Sequence, residues 1–205
     1  MPVLLDYFEG KKILDKYGIK SVQSSYVRSA DEAAKFSGNE PIVMKLISDK
    51  ALHKSKSGLV KLNLKGSEIK SAYNDLVSKG AELKPYKIIV QRMSKPGVEI
   101  IVGGRTDPQF GKLILLGLGG IYVEVFKDFA LRTCPITKYD AMDMIEQLKS
   151  KDVVTFKGKD TSMLVGLLLS VSKLLVNNGK ITELDLNPLI VREGGYEAVD
   201  IRILE

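Results

Sequence analysis

Glu183-Leu184-Asp185-Leu186-Asn187-Pro188-Leu189 is the stretch on which the reading of this chain turns. Apolar and polar residues alternate along it, the period-2 pattern of a strand whose successive side chains point to opposite faces. Asp185 and Asn187 therefore share a face. Asp200 falls on what reads as the next strand, Tyr196 to Ile203, joined through a turn at Glu193-Gly194-Gly195 and within reach of that face. Two carboxylates and an amide oxygen are hard donors, the set that Mg2+ takes when it also bridges phosphates. The same letters also fit a polar edge strand with a turn-forming Asn-Pro.

Outward from this hairpin, apolar periodicity divides the chain into strands and helices. Helices are expected over Leu4–Tyr17, stopped by Gly18, from Ser29 to about Phe36, and from Ser67 to Lys79. Ser29 is a natural N-cap, with Asp31 and Glu32 in the first turn. Strands are expected over Ser21–Val27, Pro41–Ile47 and Leu59–Leu64. A strand-rich half follows: Lys87–Met93, Val98–Gly103, Leu113–Leu116, Ile121–Phe126 and Phe129–Cys134. Helical signals return over Lys138–Lys149 and Asp160–Val176. The pattern predicts an α+β protein of two lobes, residues 1–85 and 86–205, with a ligand cleft between them.

Composition bounds the class. The 205 residues are 44% hydrophobic and 27% charged, ordinary for a globular protein with a real core. The net charge of +6 is spread along the chain, aromatics are 7% and Trp is absent, which argues against a nucleic-acid surface. No apolar run reaches the roughly 20 residues of a membrane span, and the N-terminus lacks a signal-peptide pattern. With one cysteine, Cys134, no internal disulfide can form, and the chain reads as cytoplasmic.

Three further elements carry chemistry. Lys45 lies in the apolar run Pro41–Ile47, where a lysine can reach phosphate oxygens or snorkel to solvent. His53, the only histidine, sits in Leu52-His53-Lys54-Ser55-Lys56-Ser57-Gly58, a run of cations, hydroxyls and glycine suited to covering a phosphate or accepting a phosphoryl group. No G-x-x-x-x-G-K-[ST] pattern occurs, so this is not a Walker A loop. Gln91-Arg92-Met93 followed by Glu99 reads as an extended hinge facing an adenine edge with a carboxylate near the ribose, or as a plain strand pair with an exposed Glu. Gly117-Leu118-Gly119-Gly120 departs from the G-x-G-x-x-G spacing of a dinucleotide fold and leaves open a second glycine-rich turn lining an anion site.

Taken together, these motifs resemble the ATP-grasp beta subunit of ADP-forming acetyl-CoA synthetases, relatives of succinyl-CoA synthetase. The resemblance runs through Lys16-Tyr17-Gly18-Ile19, Val43-Met44-Lys45, Leu52-His53-Lys54-Ser55, Val90-Gln91-Arg92-Met93, Glu99-Ile100-Ile101-Val102-Gly103, Asp107-Pro108-Gln109-Phe110-Gly111, Gly117-Leu118-Gly119-Gly120, the Glu183–Leu189 stretch and Asp200. It departs in the basic loop, where the family commonly has two adjacent glycines and this chain has Ser57-Gly58. The resemblance implies an ATP-grasp fold: residues 1–85 as a helix and small lobe with the phosphate cover, 86–205 as a larger lobe with hinge and metal strands.

What it implies for function is an acid–CoA ligase interconverting acyl-CoA, ADP and phosphate with acid, CoA and ATP through a phosphohistidine. Such a chain acts with a CoA-binding alpha subunit, as an α2β2 assembly, with ADP rather than GDP as the default nucleotide. By position, Lys45 is the phosphate-binding lysine, Lys54, Ser55 and Gly58 belong to the phosphate cover, and Gln91, Arg92 and Met93 form the adenine hinge. Glu99 is a nucleotide contact, Asp185, Asn187 and Asp200 the Mg2+ shell, and His53 a second phosphoryl relay. A stand-alone carboxylate–amine ligase and a non-catalytic nucleotide-binding subunit are the alternative readings.

Overall fold

The computed structural model describes residues 2–48, 58–120, 128–159 and 161–205. Two compact units emerge, one of residues 22–94 and one joining 1–21 to 95–205.

The unit of residues 22–94 is an antiparallel sheet with two helices on one face. Its strands are β1 (Ser24–Val27), β2 (Ile42–Ile47), β3 (Val60–Leu64) and β4 (Lys87–Arg92), in the order β1-β4-β2-β3. Helices α2 (Ala30–Ser37) and α3 (Glu68–Gly80) connect them. The expected cap at Ser29 is present, its hydroxyl accepting from the Glu32 N–H at 3.1 Å. Ile69, Ala72, Leu76 and Gly80 bury the inner stripe of α3, at helical spacing. They pack on Ile42, Met44, Leu46, Ile88 and Val90, alternate residues of β2 and β4. By the same alternation Val43, Lys45, Ile89 and Gln91 belong to the other face of the sheet. Leu76 is fully buried. Leu76→Ala is expected to lower the unfolding free energy by about 2–5 kcal/mol in a denaturant titration, the usual cost of a buried leucine cavity.

The second unit holds a six-stranded antiparallel sheet. Its strands are β5 (Val98–Asp107), β6 (Gly111–Leu118), β7 (Phe129–Thr133), β8 (Glu183–Arg192), β9 (Gly195–Ala198) and β10 (Arg202–Leu204). The order is β10-β8-β5-β6-β7, with β9 also paired to β8. Helix α1 (Tyr7–Lys16) packs near β10, while α4 (Lys138–Glu146), α5 (Lys151–Val154) and α6 (Thr161–Asn177) lie in the second half of the chain. α6 carries the broad apolar stripe, with Leu164, Leu167, Leu168, Val171, Leu174 and Leu175 buried. It covers one face of β5 and β6: a side chain added at Gly104 would meet Leu175 at 2.5–2.7 Å. β5 alternates, so Glu99, Ile101, Gly103 and Arg105 belong to the opposite face.

The units differ from the expected boundary at residue 85 at both ends. Residues 1–21 join the larger unit, not the small lobe, because three contacts tie them to the chain's last strands. Leu4 bridges Leu204, the Ala198 N–H donates to the Lys20 carbonyl at 2.9 Å, and Gly10 packs against Ile201 and Ile203. β4 belongs with residues 22–94 because it is the strand between β1 and β2. The first helix also starts later than its periodicity predicts, at Tyr7 and not Leu4. Val3 and Leu5 are hydrogen-bonded alongside Glu205 and Ile203, and Asp6 caps the helix instead. The strand expected over Ile121–Phe126 lies outside the described residues, as does the Asp160 start of the last helix.

Candidate functional site

Each unit brings part of the predicted constellation together. In the smaller one, Lys45 stands in the middle strand pair, level with Ile89 of β4 and Val60 of β3. It is only 9% exposed, so its alkyl stem is packed and the ammonium group is held in one region. Gln91 shares its face, opposite Val43 and Ser24, and is fully buried with Nε2 3.4 Å from the Ser24 hydroxyl. Arg92 is already engaged. Its N–H donates to the Gln23 carbonyl at 2.9 Å, its guanidinium to the Ser37 carbonyl at 2.7 Å, with Glu40 at 3.4 Å and the Phe36 ring at 5.0 Å. Of the expected hinge, Met93 alone lies beyond the end of β4. Gly58, at φ +86°, is where the described chain resumes after the basic loop; His53, Lys54 and Ser55 lie outside the described residues.

In the larger unit the Asp185–Asn187 stretch is strand β8, as its alternation predicts. Asp185 is paired with Gly103 of β5 on one side and Arg202 of β10 on the other. The Arg202 guanidinium sits 3.6 Å from Glu183. A feature the alternation alone does not foresee interrupts β8. Ile100 pairs with Leu189 but Val102 with Leu186, so Asn187 and Pro188 together oppose Ile101. This extra residue is a β-bulge, which accommodates a proline that has no N–H for the ladder. Past the bulge the parity of β8 reverses, so Ile190 stands opposite Glu99 just as Asp185 stands opposite Gly103. Glu99 and Asp185 therefore occupy one face of the sheet, the face away from α6.

Asp200 is not inside a strand. The expected strand Tyr196–Ile203 is broken into β9 and β10, and Asp200 lies in the connection. Both pieces pair with the same edge of β8 in one continuous register, Ala198 with Leu189 and Arg202 with Asp185. Asp200 is thereby level with Asn187. The N–H groups of Val199 and Asp200 both point to the Pro188 carbonyl, at 3.0 and 3.4 Å, which fixes the connection beside the bulge. The three oxygen donors predicted from sequence are thus gathered at one place, two from β8 and one from the segment beside it.

Glu99 has a neighbour in the Gly117–Gly120 turn, which the sequence left open as a second glycine-rich turn lining an anion site. The Gly119 N–H donates to the Glu99 carbonyl at 2.7 Å, and a Cβ on Gly119 would lie 2.8–3.0 Å from Glu99 backbone and Cβ atoms. Gly120, at φ +70°, places its own missing Cβ 3.4 Å from the Glu99 carboxylate. The glycines let the chain wrap the base of Glu99 at van der Waals contact. Gly119→Ala is expected to destabilise the larger unit by about 1–3 kcal/mol, the cost of overpacking, measured by thermal unfolding.

A family model for the ATP-grasp domain matches residues 3–204. The chain belongs to the ATP-grasp family. It is 37% identical to the beta subunit of acetate–CoA ligase (ADP-forming) I of Pyrococcus furiosus, over 96% of this chain and 89% of that one. It is also 37% identical to the acetate–CoA ligase (ADP-forming) I of Archaeoglobus fulgidus, of whose length it spans 30%. Among solved structures it superposes on the dinucleotide-forming acetyl-coenzyme A synthetase 1 of Ca. Korarchaeum cryptofilum with a TM-score of 0.83 at 35% identity, covering 98% of this chain and 92% of that chain. That protein was captured with coenzyme A and Mg-AMPPCP, its phosphohistidine segment pointing towards the nucleotide binding site. Among the described residues of this ATP-grasp chain, no helix is long and apolar enough to cross a membrane.

Proposed function

We propose that this chain is the nucleotide-binding beta subunit of an ADP-forming acyl-CoA synthetase and works with a CoA-binding alpha subunit. The reaction in this reading interconverts acyl-CoA, ADP and phosphate with acid, CoA and ATP. The observation that carries it is the gathering of Asp185, Asn187 and Asp200 at the β8 bulge, on the sheet face that also bears Glu99. Relatives of this length named as beta subunits of such ligases support it.

The donor set fits Mg2+. Among the described residues no group of three or more His, Cys, Asp or Glu is gathered to enclose an ion. Two carboxylates and an amide oxygen leave coordination positions for phosphate oxygens and water, as Mg2+ prefers. Asp185, Asn187 and Asp200 hold the cation, which when bound neutralises phosphate charge. Lys45 binds phosphate oxygens as a compact point charge held by its packed stem. Glu99 accepts from a ribose hydroxyl, and the backbone at Met93 offers the adenine edge its donor and acceptor. Gln91 and Arg92 act one step back, holding the end of β4 through Ser24, Ser37 and Glu40.

The transferred group arrives on an imidazole nitrogen of the alpha subunit. The N–P bond breaks as a P–O bond forms to a terminal oxygen of the ADP β-phosphate, and the freed nitrogen takes up a proton. Little covalent help is needed beyond charge neutralisation and in-line placement. With His53 in the second-relay role read from its loop, the alpha-subunit N–P bond first breaks as an N–P bond forms to the His53 imidazole, and it is this second N–P bond that breaks as the P–O bond to ADP forms, with Lys54, Ser55 and Gly58 as phosphate contacts. An α2β2 assembly and a cytoplasmic setting complete the proposal. Burial pushes the Cys134 thiol up.

Mixed with its CoA-binding partner and Mg2+, the chain is expected to make ATP from acetyl-CoA, ADP and phosphate. Alone it is expected to bind ADP without turnover. Ligation by the chain alone, or no turnover by the mixture across a panel of acyl-CoAs, overturns the reading.

A further inference from the structure

Among the described residues Asp128 is the only buried acidic side chain, at 4% exposure. A carboxylate taken out of water has to be compensated, and among the described residues no lysine or arginine does so. Two backbone N–H groups do. Lys149 donates to Oδ1 at 2.7 Å and Ser150 to Oδ2 at 2.9 Å, the short range of charge-assisted bonds. Both donors lie in the connection between α4 and α5, and α5 packs on β5.

The Asp128 carbonyl is engaged as well. It accepts from the Leu118 N–H at 3.1 Å, one step beyond the β6–β7 ladder, whose last pair is Gly117 with Phe129. The next residue, Gly119, donates to the Glu99 carbonyl one step beyond the β5–β6 ladder, whose last pair is Ile100 with Leu118. Leu118 and Gly119 are therefore held past the ends of two ladders, by Asp128 on one side and Glu99 on the other. Packing is close on both sides. A Cβ on Gly117 would lie 3.2 Å from the Asp128 carbonyl oxygen, and one on Gly119 2.8 Å from the Glu99 carbonyl carbon. A displacement of Asp128 thus reaches Glu99 through backbone atoms with no slack between them.

The carboxylate supplies what the sheet cannot. β7 is an edge strand, and Asp128 lies just before its first residue, with β6 on one side only. The connection after α4 closes the other side, through the Asp128 side chain. Asparagine has the same shape but a single acceptor oxygen, so it serves Lys149 or Ser150 and not both. Glu99 is exposed, a carboxylate on a flexible stem whose aim depends on where its backbone is fixed.

Resting on the reading of Glu99 as the ribose contact, we infer that Asp128 is a positioning residue for the nucleotide, its doubly hydrogen-bonded carboxylate fixing the Leu118–Gly119 turn that aims Glu99. It acts through Glu99 and touches neither nucleotide nor metal itself.

The test uses the complete chain with Mg2+, and ADP and its 2′-deoxy and 3′-deoxy analogues as calorimetric probes. The unaltered chain is expected to bind one analogue about tenfold more weakly than ADP, as when a hydrogen bond to a charged group is lost. In Asp128→Asn, ADP binding weakens about tenfold while that analogue binds as it does to the unaltered chain, so the discrimination disappears. Glu99→Ala does the same. Adding Asp128→Asn to it costs ADP no more than about a further twofold, because both changes remove one contact. A carboxylate that only stabilised the fold would lower the unfolding temperature and leave the discrimination at about tenfold. Gly117→Ala presses on the Asp128 carbonyl from β6 and keeps the carboxylate, so it carries the test if Asp128→Asn does not fold. Its discrimination is expected to fall about threefold. Unaltered discrimination in the folded variants overturns the role of Asp128. Equal binding of ADP and both analogues by the unaltered chain overturns Glu99 as the ribose contact instead, so the two failures are distinct.

Discussion

Lys45→Met is expected to lower phosphoryl transfer to ADP by about 10²- to 10³-fold, the usual cost of removing one preorganised charge from a reacting oxyanion site. Methionine keeps most of the apolar stem, so the packing around a position only 9% exposed changes little. What is lost is the ammonium group held between β3 and β4. Because a strand residue packed on its stem has little rotamer freedom, the charge is in place before the nucleotide arrives. The loss should therefore appear in turnover at saturating nucleotide as well as in affinity. Steady-state kinetics with the alpha subunit, beside a thermal-unfolding control, measures it. Turnover within threefold of the unaltered chain would remove Lys45 from the site.

The second large effect is expected at the bulge. Asp185→Asn and Asp200→Asn each preserve side-chain size while deleting one negative charge from a set that has only two. Substituting residues that merely orient metal ligands costs 10- to 100-fold, so loss of a ligand charge is expected to cost about 100-fold or more in activity. The Mg2+ concentration for half-maximal activity should rise as activity falls. The double variant should lose much less than the product of the single losses, because in the proposed site both carboxylates serve one ion. An unchanged Mg2+ dependence in either single variant would sever that residue from the metal. Asp200→Asn carries a second lesson. Its backbone N–H, not its carboxylate, points to the Pro188 carbonyl, so the connection between β9 and β10 should stay in place. A drop in Mg2+ affinity without a drop in unfolding temperature separates ligation from architecture.

Much of the local structure around the proposed site was legible in the letters. The alternation foretold β8 as far as Leu186, because a strand's two faces are written into a period of two, while the shared face expected for Asp185 and Asn187 rested on an alternation that the bulge at Asn187–Pro188 interrupts. Ser29 announced its helix by the chemistry of its hydroxyl, and the apolar stripe of α6 announced its burial. Lys45 stood out as a cation inside an apolar run, and the structure places it mid-strand and nearly buried. Less was legible where two segments compete for one partner. The apolar spacing of Leu4 and Leu5 fits a helix, yet both are held beside the last strand, across nearly the whole chain. Arg92 read as a hinge residue, and only the fold brings Ser37, Glu40 and Phe36 around its guanidinium.

The sequence by itself determined most of the element types, the oxygen-bearing side chains at 185, 187 and 200 that the proposed metal site uses, and membership of a two-part α+β design, because these follow from local periodicity and side-chain chemistry. The tertiary structure alone decided three things. It inserted an extra residue at Asn187–Pro188 that turns Ile190 onto the face of Asp185, where the alternation of β5 already puts Glu99, and it set Asp200 level with Asn187 through the shared register of β9 and β10. It also tied the Asp128 carboxylate to the connection after α4 and the Asp128 carbonyl to the turn beside Glu99. Register and bulges arise from pairing between distant strands, and no period within one strand records which residue of another will stand opposite it.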